Sequence, residues 1–251
     1  MNRALFISDL HIASPQDPKC ALFSRFLDKL IEEPSGELFL VGDIFDLWIA
    51  DRRYFVERYS EIIEKLRRLT ALGWRVHYFE GNHDLDLKRF WAQSLGWVVH
   101  EGPTHFDLSG LKVRVEHGDQ MNPNDRGYIF LRWFLRTPFM RAFGRYMPDS
   151  LVRWIGERAS RASREYTSSV KGVSEEQSQQ MIRQHAERVH RTEPFQLLIS
   201  GHVHVEMDEF IGQGAKDYRL VNLGTWLKKP YLFELTVEGG TLKSVDDFLK
   251  F

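Results

Sequence analysis

Five times along this chain an apolar run of β character ends in a short cluster of Asp, His, Asn and Gly. The clusters are Asp9-Leu10-His11, Gly42-Asp43-Ile44-Phe45-Asp46, Gly81-Asn82-His83-Asp84, His117-Gly118-Asp119 and Gly201-His202-Val203-His204. The runs before them are Ala4 to Ile7, Leu38 to Val41, Arg75 to Phe79, Leu111 to Val115 and Phe195 to Ile199. Between the early runs lie amphipathic stretches at helical spacing, Cys20 to Glu33 and Arg53 to Leu72. Strands alternating with helices predict parallel or mixed sheets with helices outside. In such sheets ligands gather beyond the carboxyl ends of the strands, so the five clusters are expected to converge on one sheet edge.

The rest of the chain divides by pattern. A short helix is expected over Leu85 to Leu95, and a hairpin turn at Ser109-Gly110. From about Asn124 to Arg191 there are long helical runs and no strand signal, broken by Pro138, Gly144, Pro148 and Gly172. This reads as a helical cap inserted at 124–191 into a core formed by 1–123 and 192–251. After it, strands return at Met207 to Ile211, Arg219 to Leu223, Tyr231 to Val237 and Leu242 to Phe248.

A length of 251 residues suits one large α/β domain or one carrying an insertion. Hydrophobic residues at 43% and charged residues at 27% are an ordinary soluble balance, and no run approaches the ~20 apolar residues of a membrane span. Asp9 and His11 interrupt the first apolar run too early for a cleavable signal peptide, and the lone Cys20 rules out an internal disulfide. A cytosolic location is the resulting expectation. The net charge of −1 conceals a basic segment: Arg126 to Lys171 holds ten basic residues against Asp149, Glu157 and Glu165. Nine aromatics share it, among them Tyr128, Phe130, Trp133, Phe139, Phe143 and Trp154. Arginines interleaved with rings suit an interfacial helix on anionic lipid. They also suit an ordinary amphipathic helix with a solvated face, or, less well, a single nucleic-acid strand.

Residues two apart on a strand point the same way, so Asp9 with His11 can face one cation together, and His202 with His204 can do the same for a pair of cations. Carboxylate, amide oxygen and imidazole without thiolate suit Mn²⁺, Fe²⁺ or Zn²⁺ rather than a structural zinc site. The expected assignment places Asp9, His11 and His204 on a first metal and Asn82, His117 and His202 on a second, with Asp43 bridging. Two cations ~3.5–4 Å apart activate water and stabilise the entering and leaving oxygens of an in-line phosphoryl displacement. Any one dipeptide among these arises easily by chance; the ordered set does not. His77, His100, His105, His185 and His190 lack such context and are expected at the surface or as satisfied core residues.

The motif set resembles that of the calcineurin-like metallophosphoesterase superfamily, over nearly the whole chain. The resemblance implies an α/β fold, a four-layer αββα sandwich with the helical insertion as a cap. It also implies that His83 is not a metal ligand but stabilises the transferred phosphoryl group or protonates the leaving group, with Asp84 orienting it. A narrower similarity, to the UDP-2,3-diacylglucosamine pyrophosphatase family, rests on Gly42 to Ile49, Asn124 to Tyr128 and Arg161 to Ser169. It implies a manganese enzyme of lipid A synthesis that forms lipid X and UMP as a peripheral protein on the inner face of the inner membrane. By matching positions, Asp125, Tyr128, Ser163, Arg164 and Thr167 would bind substrate, and cap arginines would pair with the diphosphate. That family carries arginine where this chain has His83, and Arg164, Thr167 and Val170 also depart from it. The alternatives are hydrolysis of another phosphodiester or nucleotide diphosphate, and a non-catalytic scaffold on the same fold.

Overall fold

The computed structural model describes residues 3–151, 154, 158, 174–212 and 217–250. Two sheets face each other. The first runs β13-β12-β1-β2-β4-β6, from β1 (Arg3–Ile7), β2 (Glu37–Leu40), β4 (Arg75–Phe79), β6 (Val98–His100), β12 (Tyr231–Thr236) and β13 (Gly239–Ser244). The second runs β10-β11-β9-β8-β7, from β7 (Thr104–Leu108), β8 (Leu111–Glu116), β9 (Leu197–Ser200), β10 (Glu206–Ile211) and β11 (Tyr218–Leu223). A two-stranded ribbon pairs β3 (Trp48–Ile49) with β5 (Asp84–Leu85).

Alternation along the strands builds the layers. Ala4, Phe6, Phe39, Val41, Leu197 and Ile199 point between the sheets, where they meet Val113, Val115, Val221 and Phe233. The intervening Leu5, Ile7, Leu38 and Leu40 face outward onto α1 (Pro18–Glu32) and α3 (Ser60–Ala71). Leu198 and Leu220 face the other way, onto Ile182 and Ala186 of α6 (Glu175–His190). Because both faces of the central strands β1, β2 and β9 are covered, these strands read as continuous apolar runs. The result is the expected αββα sandwich.

Three local expectations are corrected. The helix expected over Arg53 to Leu72 is two, α2 (Arg53–Arg58) and α3, broken at Tyr59. The helix expected over Leu85 to Leu95 is replaced by β5 and a single 3₁₀ turn at Leu87–Arg89. The last strand stops at Ser244, whose side chain accepts from Asp247 N at 3.0 Å and starts α7 (Val245–Leu249). The hairpin is as expected: Ser109 and Gly110 both take positive φ, which fits the strand twist.

Between β8 and β9 the described residues form α4 (Arg126–Leu135), α5 (Pro138–Tyr146) and α6. Helix α4 buries none of its residues. Phe130, Trp133, Phe139 and Tyr146 stand 61–79% exposed. No helix among the described residues is long and apolar enough to cross a membrane.

Candidate metal centre

The parallel strands β1, β2 and β4 and the parallel pair β8–β9 end at the same edge of the sandwich. Their C-terminal turns carry all seven candidate ligands. The turns are not continuations of the strands. Asp9, His11, Asp43, His202 and His204 all adopt left-handed φ, between 46° and 65°. Asp and His tolerate that region better than most residues, but each such residue still costs ~1–3 kcal/mol. The strain is concentrated where the side chains must converge. Asp9 and His11 therefore share a direction because of two left-handed turns, not because of a strand's pleat.

The glycines serve mainly as clearance. Gly42 does take a positive φ of 86°. Gly81 and Gly201 do not; instead a Cβ on Gly81 would collide with Asp43 Oδ1, and one on Gly201 with Asp9 Oδ2. The backbone of the β4 and β9 turns packs directly against the carboxylates it surrounds.

Two clusters result. In the first, His204 Nε2 lies 3.2 Å from Asp9 Oδ1, and His11 Nε2 lies 3.3 Å from His204 Nε2 and 3.7 Å from Asp9 Oδ1. In the second, His117 Nε2 lies 3.4 Å from Asp43 Oδ2 and 3.2 Å from Asn82 Oδ1, with His202 Nδ1 2.9 Å from the same amide oxygen. Asp43 Oδ2 is also 4.0 Å from His11 Nε2, so this carboxylate stands between the clusters. The structure thus brings Asp9, His11 and His204 together at one point and Asn82, His117 and His202 at another. His117 Nδ1–H donates to Val41 O at 2.9 Å, which turns Nε2 inward as a lone-pair donor.

Electrostatics reinforce the arrangement. Burial raises the carboxyls of Asp9 and Asp43, but the surrounding imidazoles outweigh it and hold both well below the usual carboxylate range. Burial opposes a charge on His117, yet Asp43, Asp9 and Asp119 push it up to about 10. Burial and the neighbouring His117 push His202 down to about 4. A field that draws a proton to His117 draws a divalent cation as well, and cation binding must displace that proton. The donor chemistry fits such ions: oxygen and nitrogen donors converge, imidazole nitrogens face one another at His11 and His204, and no thiol is near.

His83 sits beside the first cluster, its ring edge-on to His11 with centroids 4.9 Å apart. Its Nδ1–H donates to the Asp46 carbonyl at 2.7 Å, and its backbone N donates to Asp43 Oδ1 at 2.9 Å. The expectation that Asp84 orients this ring is corrected. Asp84 Oδ2 accepts from Asp43 N and Gly81 N, each at 3.0 Å, and Oδ1 from the Tyr78 hydroxyl at 3.4 Å. The fully buried carboxylate is a strut between the β2 and β4 turns. Asp46, not singled out from the sequence, places its carboxylate with the rings of His11 and His83, the three ligand atoms within 4.8 Å. Its signal was present as the second acid of Gly42-Asp43-Ile44-Phe45-Asp46.

For three arginines of the insertion the expectation of pairing with a diphosphate is corrected. Arg132 Nε donates to Asp119 Oδ2 at 2.6 Å, Arg136 Nε to Glu80 Oε2 at 3.3 Å and Arg141 Nη2 to Glu101 Oε1 at 3.1 Å. These cations are paired with acids of the loops after β8, β4 and β6 instead of standing ready for a diphosphate. Tyr128 also donates to Asp119, and its ring lies 6.4 Å from that of His202. Asp125 caps α4, accepting from Tyr128 N at 2.9 Å. Ser163, Arg164 and Thr167 lie outside the described residues.

A sandwich of two sheets that gathers carboxylates, imidazoles and an amide at one edge defines a hydrolase scaffold for a pair of divalent cations. The sequence profile of calcineurin-like phosphoesterases matches residues 3–206. The chain belongs to that family and is a metal-dependent hydrolase of phosphate ester or pyrophosphate bonds. It is similar to the UDP-2,3-diacylglucosamine hydrolase of Pseudomonas aeruginosa (strain UCBPP-PA14), 27% identical with 94% of this chain and 95% of that protein covered. A protein of the same name from Nitrosococcus oceani is 30% identical, with 93% and 91% covered.

Proposed function

We propose that this enzyme cleaves the pyrophosphate bond of a nucleotide-linked glycolipid, UDP-2,3-diacylglucosamine, releasing lipid X and UMP in lipid A synthesis. The observation that carries the reading is the span of its similarity to hydrolases of that name, over 94% of the chain and so across the insertion as well as the core. The exposed rings of α4 and α5 support it, because an acylated substrate needs an apolar surface and a soluble one does not. In this reading 124–191 is a cap lying on the inner face of the inner membrane, and the enzyme is peripheral and cytoplasmic.

Asp9, His11 and His204 would hold one cation, Asn82, His117 and His202 the second, with Asp43 shared; manganese is the proposed metal. Bound there, the pair supplies Lewis acidity to the phosphoryl oxygens and lowers the pKa of the attacking water. His83 is the proton carrier. With Nδ1 held by the Asp46 carbonyl, the ring would meet the phosphate through Nε2, stabilising the transition state or protonating the departing oxygen. Asp84 keeps Asp43 and Gly81 in register and does not touch the substrate. Tyr128 stands near the second cluster on the substrate side, with Asp125 at the start of its helix, and Ser163, Arg164 and Thr167 would join them.

The test is release of lipid X from UDP-2,3-diacylglucosamine by the manganese-loaded enzyme. Absence of turnover, alongside brisk hydrolysis of an unrelated phosphodiester, overturns the substrate.

A further inference from the structure

Behind the His117-Gly118-Asp119 turn lies a cavity of about 320 Å³, between α4, α6 and the loops after β4 and β6. Small-molecule pockets begin at roughly this size, ~300 Å³. Part of its wall is apolar: Phe79, Pro103, Met121, Pro123 and Ile129. The remainder is a chain of polar groups. Arg188 Nη2 donates to Met121 O at 3.1 Å and to His185 Nδ1 at 3.0 Å. His185 Nε2 in turn donates to Glu116, whose other oxygen accepts from Arg114 Nε at 2.8 Å. Arg132 is paired with Asp119.

Two features limit what the cavity takes. Its acids Glu116, Asp119 and Glu80 are matched by Arg114, Arg132 and Arg136, so it does not present the strong positive field that a multiply charged phosphate needs. Among the described residues Arg188 meets no carboxylate, and its Nε–H and Nη1–H groups donate to none of them. Apolar walls with a few convergent donors and acceptors recognise a flat, uncharged heteroaromatic ring. The cavity also shares His117 with the metal centre, since that residue lines it while its Nε2 faces Asp43.

We infer that this cavity seats the nucleobase of the substrate, with the phosphates reaching from it across the His117 turn to the cations. The inference rests on the proposed nucleotide-linked substrate. Arg188 donates to a base carbonyl, and Glu116, by accepting from His185, holds the imidazole that accepts from Arg188 and so aims the guanidinium. The glycolipid half then leaves on the opposite side, toward the exposed rings of α4 and α5.

The experiment compares binding of UMP and ribose 5-phosphate to the manganese-loaded protein by titration calorimetry. The ratio of the two dissociation constants isolates the base. We expect UMP to bind at least tenfold more tightly in the wild type. The ratio should fall to near one in Arg188→Met. It should fall likewise in Gly102→Leu, which leaves every buried ion pair intact and adds a side chain where a Cβ meets nothing within 4 Å. A wild-type ratio near one, or a ratio preserved in both variants, overturns the inference. Lipid X release is measured in parallel. Turnover with a ratio near one removes the nucleobase pocket alone; a high ratio without turnover keeps the pocket and removes the glycolipid.

Discussion

Removing the Asp84 carboxylate tests whether it supports the site or drives the chemistry. In Asp84→Ala the amides of Asp43 and Gly81, each donating at 3.0 Å, lose their acceptor in a spot with no exposure. An orphaned buried donor costs ~1–3 kcal/mol, so the pair costs about 2–6 kcal/mol; the longer 3.4 Å contact from Tyr78 adds little. Against a total stability of ~5–15 kcal/mol that is a large share. Asp84→Asn keeps one amide oxygen for both donors and relieves repulsion between Asp84 and the neighbouring Asp43 carboxylate, which with burial raises Asp84 to about 7. It should cost less than ~2 kcal/mol. Urea unfolding in the presence of a chelator reads these differences on the metal-free fold. Manganese affinity, measured separately, should fall with the Ala variant because Asp43 is no longer held. An Ala variant within ~0.5 kcal/mol of wild type, binding manganese normally, would refute the strut.

Other outcomes follow from the same geometry. His83→Ala should lower turnover ~10²–10⁴-fold while manganese content stays at the wild-type level; metal lost along with activity would make His83 a ligand. Gly81→Ala should displace Asp43 and reduce bound manganese below two per chain, and full occupancy by metal analysis would show that the turn yields easily. Burial, then the adjacent His77, depresses half-buried His100 to about 4. Its contribution is intact above the unfolded value of ~6.5 and is lost as pH falls from there to about 4. His100→Asn should therefore flatten the acid loss of stability by about 1–2 kcal/mol after discounting for solvent access, and parallel curves would contradict this. Replacing Phe139 and Phe143 together by Asp should leave the unfolding midpoint unchanged and reduce sedimentation with anionic vesicles at least fivefold. Equal sedimentation would rule out this face as the membrane contact.

The centre was legible because its information is local. A β-type apolar run followed by Asp, His or Asn states both the element and the position at its end. The strands were legible for the same reason, as continuous apolar runs such as Ala4 to Ile7, whereas the facing of Leu5 and Phe6 into different layers is seen only in the fold. What was missed depends on partners distant in sequence. Nothing around Arg132, Arg136 or Arg141 announces acids 13, 56 and 40 residues away. Asp84 adjoins His83 in the chain, but its Oδ2 ties the backbone of its own turn at Gly81 to that of the β2 turn at Asp43. The closing helix had left a mark that strand periodicity obscured: Ser244 followed by Asp246 and Asp247 is a helix start.

The three arginine pairs have a consequence for how this architecture can be recombined. They stitch α4 and α5 to acids belonging to three different loops of the sandwich, so the helices and the loops form a matched set. Grafting 124–191 onto another phosphoesterase core would strand guanidinium groups unless Asp119, Glu80 and Glu101 travelled with it. Deleting the segment would leave Glu80 and Asp119 buried without their cations. Exchange of specificity in this scaffold therefore requires coordinated replacement at both ends of each pair, and a library that varies only the helices would select chiefly for repaired charge.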